Sequence, residues 1–146
     1  MDIYFFLLTQ CLTCEDDWDL HGGNCYHFSN NKSTWTESRR SCQDQGGDLV
    51  KIDSREKQVL NTSNDGDTFW IGLTDSEKEG SWVWGDGSPL DRWSDCSQNI
   101  WGGGTTPEVD CVRMKKIEKS FMWFDTFCNE RVRSICEKTA ETQPCL

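Results

Sequence analysis

Nine cysteines, Cys11, Cys14, Cys25, Cys42, Cys96, Cys111, Cys128, Cys136 and Cys145, constrain this 146-residue chain more than any other feature. Cytosolic reductants keep thiols reduced, so this density points to an oxidising compartment and a disulfide framework. An odd number leaves at least one thiol free or bonded to another chain. Spacing does not assign the pairs: any eight cysteines join in roughly a hundred ways, and leaving one out brings the total to about a thousand. Cys11-Leu12-Thr13-Cys14 has the spacing of a redox motif but lacks the strand–helix–strand setting that motif needs. A zinc site would need a second close Cys or His pair, and the two histidines, His21 and His27, sit at strand-like spacing beside glycines.

The length suits one domain. With 15 basic against 25 acidic residues the net charge is −10, a field that repels phosphate backbones and excludes nucleic acid as a partner. Calcium or a basic protein surface fits it better. Eight tryptophans and 35% hydrophobic residues exclude disorder. Ile3 to Leu8 is an apolar run behind Asp2, shorter than the roughly 7–15 apolar residues of a secretory signal. No run approaches the ~20 apolar residues of a membrane span, so membrane insertion by this chain is not expected. Residues 1–10 therefore read as a short apolar segment, an atypical signal or a stub, and 11–146 as a single domain. Asn31-Lys32-Ser33 and Asn61-Thr62-Ser63 are glycosylation acceptors compatible with secretion.

Asn24 to Phe28 reads as a short strand. Thr34 with Glu37 forms a capping box that opens a helix running to Gly46-Gly47, where glycine suits the closing turn. Leu49 to Ile52 is short and extended, and Asp53 with Glu56 opens a second helix to about Leu60. Thr68 to Leu73 is a buried-type strand. Trp82 to Trp84, Asp110 to Met114, Phe121 to Phe124 and Ser134 to Glu137 are further short strands. Between them Gly85 to Pro107 is a long aperiodic stretch of Gly, Ser, Asp and Thr holding Trp93 and Trp101, the kind of loop that carries function. The order gives an α+β domain. Trp70, Trp82, Trp84 and Trp123 are expected in the core, and Lys115, Lys116 and Lys119 in a solvated basic turn.

The ordered set Gly23-Asn24-Cys25-Tyr26, Trp35 through Cys42, Trp70-Ile71-Gly72-Leu73, Trp82-Val83-Trp84 with Asp86-Gly87, Asp110-Cys111-Val112, then Trp123, Asp125, Cys128 and Ile135-Cys136-Glu137 resembles a long-form C-type lectin-like domain over about residues 14–137. The resemblance implies two helices and short antiparallel sheets around a long loop, stapled by Cys42–Cys136, Cys111–Cys128 and Cys14–Cys25. Cys11 and Cys145 resemble the joined flanks of the dendritic-cell and hepatic asialoglycoprotein-type receptors. Cys96 is left unpaired in the loop, where it offers a covalent dimer.

Sugar-binding members hold calcium through a Glu-Pro-Asn or Gln-Pro-Asp triplet, a later Glu and an Asn-Asp pair. Aligned on Trp93 and Cys111, the triplet falls on Ser97-Gln98-Asn99, the later Glu on Val109 with Glu108 one position early, and the pair on Phe124-Asp125. The family's cis bond would precede Gln98, where it costs about 3 kcal/mol without proline, so the loop should change shape. Val109 and Phe124 offer no side-chain oxygen, and calcium takes about six to eight. Calcium-held mannose or galactose binding is therefore expected to be absent. A second family calcium site matches Asp75, Glu79 and Asp110, with Ile100 and Val109 lacking oxygens. No cofactor is required, and calcium is an optional ion.

The resulting expectation is an extracellular recognition module, secreted or part of a receptor ectodomain. It would bind a cell-surface or pathogen protein, or a glycan, through the loop at about 85–110, with Asn99, Trp101, Glu108 and Asp125 on the binding face. The alternative is a calcium-dependent lectin whose site is rebuilt from Asn99, Asp125, Glu108 and backbone carbonyls. Catalysis is not expected: there is no Ser-His-Asp set and no phosphate loop after a strand, and Cys96 is the sole candidate nucleophile.

Overall fold

The structure, a computed structural model, describes residues 10–53, 66–78, 80–90, 111–118 and 120–145. The elements run β1 (Gln10–Thr13), β2 (Asp19–His21), β3 (Asn24–Phe28), α1 (Trp35–Asp44), β4 (Asp48–Leu49), β5 (Thr68–Thr74), β6 (Val83–Trp84), β7 (Cys111–Ile117), β8 (Ser120–Thr126), β9 (Arg133–Thr139) and β10 (Glu141–Pro144). β1 and β10 form an antiparallel ribbon of the two chain ends. The other strands make one sheet in the order β2-β3-β9-β5-β7-β8, with β4 on β9 and β6 on β5. Within it β5 and β9 are parallel and the remaining pairs antiparallel. This is the α+β class expected from the sequence. One helix lies among the described residues; the second expected helix falls on residues 54–60, outside them.

Local chemistry starts α1. Thr34 Oγ1 accepts from the Glu37 amide at 3.2 Å, and the Glu37 carboxylate accepts from the Thr34 amide at 3.2 Å, the reciprocal capping box. After the closing residue Gln45, Gly46 takes φ +92°, and the Gly47 amide donates to the Cys42 carbonyl at 2.9 Å. The helix buries Trp35, Ser38 and Cys42.

β5 lies between two cores because its alternating side chains feed both faces. Phe69, Ile71 and Leu73 join Tyr26, Trp84, Val112, Met114 and Trp123 in one cluster. Trp70 joins Trp18, Trp35, Leu49 and the cysteines of three disulfides, Cys14–Cys25, Cys42–Cys136 and Cys111–Cys128, in the other. Gly72 is required where it stands: a Cβ there would lie 2.8 Å from the Leu49 carbonyl oxygen, while its amide donates to the Val50 carbonyl at 2.9 Å. Buried indoles need acceptors. Trp35 Nε1 donates to the Ile71 carbonyl at 2.9 Å, and Trp70 Nε1 to the Ser33 carbonyl at 2.8 Å, which locks α1 and its approach onto β5.

The four implied disulfides are formed: Cys11–Cys145, Cys14–Cys25, Cys42–Cys136 and Cys111–Cys128. Of the tryptophans expected in the core, Trp70, Trp84 and Trp123 are buried, and Trp82 packs on the core while half-buried. Lys115 and Lys116 belong to β7 rather than to a turn, since β7 and β8 stay paired as far as Ile117 and Ser120.

Candidate functional site

The strand register gathers three chain segments at one end of the sheet. Thr74, the last residue of β5, pairs with Cys111, the first of β7, and Cys111 pairs with Thr126 at the end of β8. Asp75 therefore follows β5, and Asp125 sits one residue before the end of β8, at the same end where the chain re-enters the described structure after residues 91–110. Cys111–Cys128 fixes that junction covalently. The sequence-predicted Asp75 and Asp125 are thus brought to a common edge. Asn99, Trp101, Glu108, Glu79, Asp110 and Cys96 lie outside the described residues.

Asp75 is 1% exposed, an unusual place for a carboxylate. Its Oδ2 accepts from the Gly80 amide at 2.9 Å, and its Oδ1 is buried without a hydrogen-bond partner among the described residues. Buried polar atoms are nearly always satisfied, so an orphaned carboxylate oxygen marks a place for a missing donor or cation. Thr74 Oγ1, beside it, accepts from the Ser76 amide at 3.2 Å and shapes the turn that follows β5. Asp75 alone is a fitting calcium ligand by charge and burial. Among the described residues no three acidic, histidine or cysteine side chains cluster for a metal.

Asp125 is half-buried, opposite Val112. Phe124 stands opposite Arg113, and its ring lies 5.5 Å from the guanidinium carbon, a cation–π arrangement. Arg113 Nε is buried with no acceptor among the described residues, and the Phe124 ring is the group its guanidinium is seen to face.

A polar groove that sequence reasoning did not identify lies beside β4. It measures about 430 Å³ and is lined by Lys51, Asp86 and Glu137 among others. Tyr26 donates its hydroxyl hydrogen to Glu137 at 2.6 Å, and the Lys51 amide donates to the same carboxylate at 3.2 Å. The Ser88 hydroxyl, then the Ser88 amide and Lys51, hold the Asp86 carboxyl well below the usual range. No local signal in the sequence joins these residues; the β3–β9 register and the close approach of residues 51 and 86 do.

No helix among the described residues is long and apolar enough to cross a membrane. The family described as Lectin C-type domain matches residues 31–138. The chain is 37% identical over 134 residues to C-type lectin domain family 4 member M of Symphalangus syndactylus, covering 88% of this chain and 30% of that protein. It thus spans under a third of that relative's length. Among solved structures it resembles the mouse scavenger receptor C-type lectin carbohydrate-recognition domain, at TM-score 0.74 and 37% identity, covering 88% of this chain and all of that one. It also resembles a calcium-independent type II antifreeze protein, at TM-score 0.75 and 28% identity, covering 90% of this chain and 98% of the other.

Proposed function

The chain belongs to the C-type lectin domain family, and from that membership we propose that it is an extracellular recognition module that does not hold mannose or galactose through calcium. Its ligand, a cell-surface or pathogen protein or a glycan, meets the loop at about 85–110, with Asn99, Trp101, Glu108 and Asp125 on the binding face. The observation that carries this reading is Phe124. Where sugar-binding members present an amide oxygen to calcium, this chain has an aromatic ring engaged with the Arg113 guanidinium. A calcium ion deprived of that oxygen, of the carboxylate or amide that Ser97 replaces and of the carboxylate that Val109 replaces, binds weakly. The four disulfides support an extracellular setting. That a calcium-independent antifreeze protein shares this fold supports a role that does not need the ion.

A glycan-array screen of the disulfide-bonded protein, run with calcium and with chelator, tests the proposal. Mannose and galactose ligands are expected to give no calcium-dependent signal. Signal that chelator abolishes would overturn the reading and favour a lectin rebuilt from Asn99, Glu108 and Asp125.

A second reading concerns an ion that orders the loop rather than one that holds ligand. The orphaned Oδ1 of Asp75 favours it. Asp75, with Glu79 and Asp110 as further carboxylates, would hold calcium there, and the ion would supply the positive charge that this buried oxygen lacks.

A further inference from the structure

We propose that Asn31 carries an N-linked glycan whose first sugar seats in the groove between α1 and the β3–β9 pair. The inference rests on the extracellular reading above, because the modification belongs to the secretory route. Asn31-Lys32-Ser33 supplies the acceptor triplet. Asn31 is exposed, and its side-chain amide has no partner among the described residues. The loop around it is nonetheless held in place. The Ser33 and Val132 amides each donate to the other's carbonyl at 3.0 Å, and Ser29 Oγ donates to the Asn31 carbonyl at 3.0 Å. A free amide on a fixed loop is a defined attachment point.

Asn31 itself lines a groove of about 250 Å³. The other lining groups include the hydroxyls of Ser29, Ser38 and Ser41, the amides of Asn30 and Gln45, and His27. Among the described residues no carboxylate, lysine or arginine lines it. Neutral hydroxyls and amides match the alternating donors and acceptors of a sugar ring and its acetamido group. The size suits one sugar residue rather than a chain, since drug-sized sites run from roughly 300 to 1,000 Å³. In the attachment step the Asn31 amide nitrogen bonds to the anomeric carbon of a lipid-diphosphate-linked oligosaccharide. The bond from that carbon to the phosphate oxygen breaks, the lipid diphosphate leaves with the electron pair, and the amide gives up one proton.

The topology keeps this glycan away from the Asp75 edge. Val132, the partner of Ser33, immediately precedes Arg133, which pairs with Phe69 near the start of β5, whereas Asp75 follows the end of that strand. A glycan on Asn31 therefore stands toward the end of β5 opposite Asp75.

The test is expression of the full chain in secreting eukaryotic cells, with Asn61→Gln in place so that any glycan reports on Asn31. Peptide mapping is expected to find Asn31 occupied. Asn31→Gln and Ser33→Ala should each lose one glycan's mass, and Ser33→Thr should keep it. A glycosidase that cuts at the asparagine should release the glycan more slowly from the folded protein than from the reduced, denatured one. Secreted, disulfide-bonded protein with Asn31 bare overturns the proposal and leaves the extracellular reading standing. Equal release from folded and denatured protein overturns the seating in the groove. Chain retained with reduced cysteines overturns the extracellular reading, and the proposal with it.

Discussion

Asp75 concentrates the electrostatics of the candidate site in one side chain. One carboxylate oxygen takes the Gly80 amide, and the other is buried with nothing to accept from among the described residues. A buried charge without compensation costs several kcal/mol, and a bound cation removes that cost. Calcium is therefore expected to raise the melting temperature of the wild-type protein, with a stabilisation of about 2.7 kcal/mol when free calcium is a hundredfold above Kd. Asp75→Asn should abolish the rise while leaving the calcium-free melting temperature no lower than wild type. A rise that survives in the variant would place the ion elsewhere. Asp75 and Phe124 were both legible in the sequence, because the resemblance assigns their positions. The stack of Arg113 on Phe124 was not, since it depends on a cross-strand register that neither residue signals alone. Gly72 was legible as a strand residue, but the carbonyl of Leu49 that forbids a side chain there belongs to another strand.

At the scale of elements, α1 stands on chemistry that is local in the chain. The Thr34 amide first, and its hydroxyl second, hold the Glu37 carboxyl below the ordinary glutamate range. A carboxyl depressed in the folded state contributes stability that is complete above its unfolded value and is lost as pH falls through the lowered folded value. Thr34→Ala should cost about 1 kcal/mol at neutral pH, and Thr34→Ser almost nothing. The gap between Thr34→Ala and wild type should narrow in acid, where Glu37 is protonated and the carboxylate half of the box is gone in both proteins. Guanidinium unfolding at the two pH values measures this; a gap that widens in acid would mean the carboxylate does not support the cap. Such local signals explain why α1 and β5 were readable. β2 and β10 were not: Asp19-Leu20-His21 and Glu141-Thr142-Gln143-Pro144 are exposed throughout and show no buried face. They pair because their partners are brought to them, β10 by the closure of the chain ends and β2 by the turn at Gly22-Gly23.

Across the whole molecule the decisive strand is β9, which pairs with β3, β4 and β5 and so unites the two halves of the chain. Its parallel pairing with β5 is non-local and has no signature in either strand, so neither periodicity nor the short antiparallel sheets implied by the resemblance included it. Cys136 on β9 bonds Cys42 on α1 over a separation of 94 residues, and both cysteines are almost fully buried. Cys14–Cys25 closes a separation of only 11. In the chain-entropy account a cross-link stabilises by restricting the unfolded ensemble, and more so for a longer loop. Removing Cys42–Cys136 as a double alanine variant should therefore cost about 2 kcal/mol more than removing Cys14–Cys25 in the same way. The loss of buried sulfur contacts between α1 and β9 adds to the difference in the same direction. Guanidinium unfolding of the two variants, with the remaining disulfides verified by mass under non-reducing conditions, reads the order. Should the Cys42–Cys136 variant not fold while the Cys14–Cys25 variant does, the same ranking is obtained from yield. Equal losses, or a larger loss at Cys14–Cys25, would show that the bonds act through local packing, and that the union of α1 with β9 does not depend on its covalent tie.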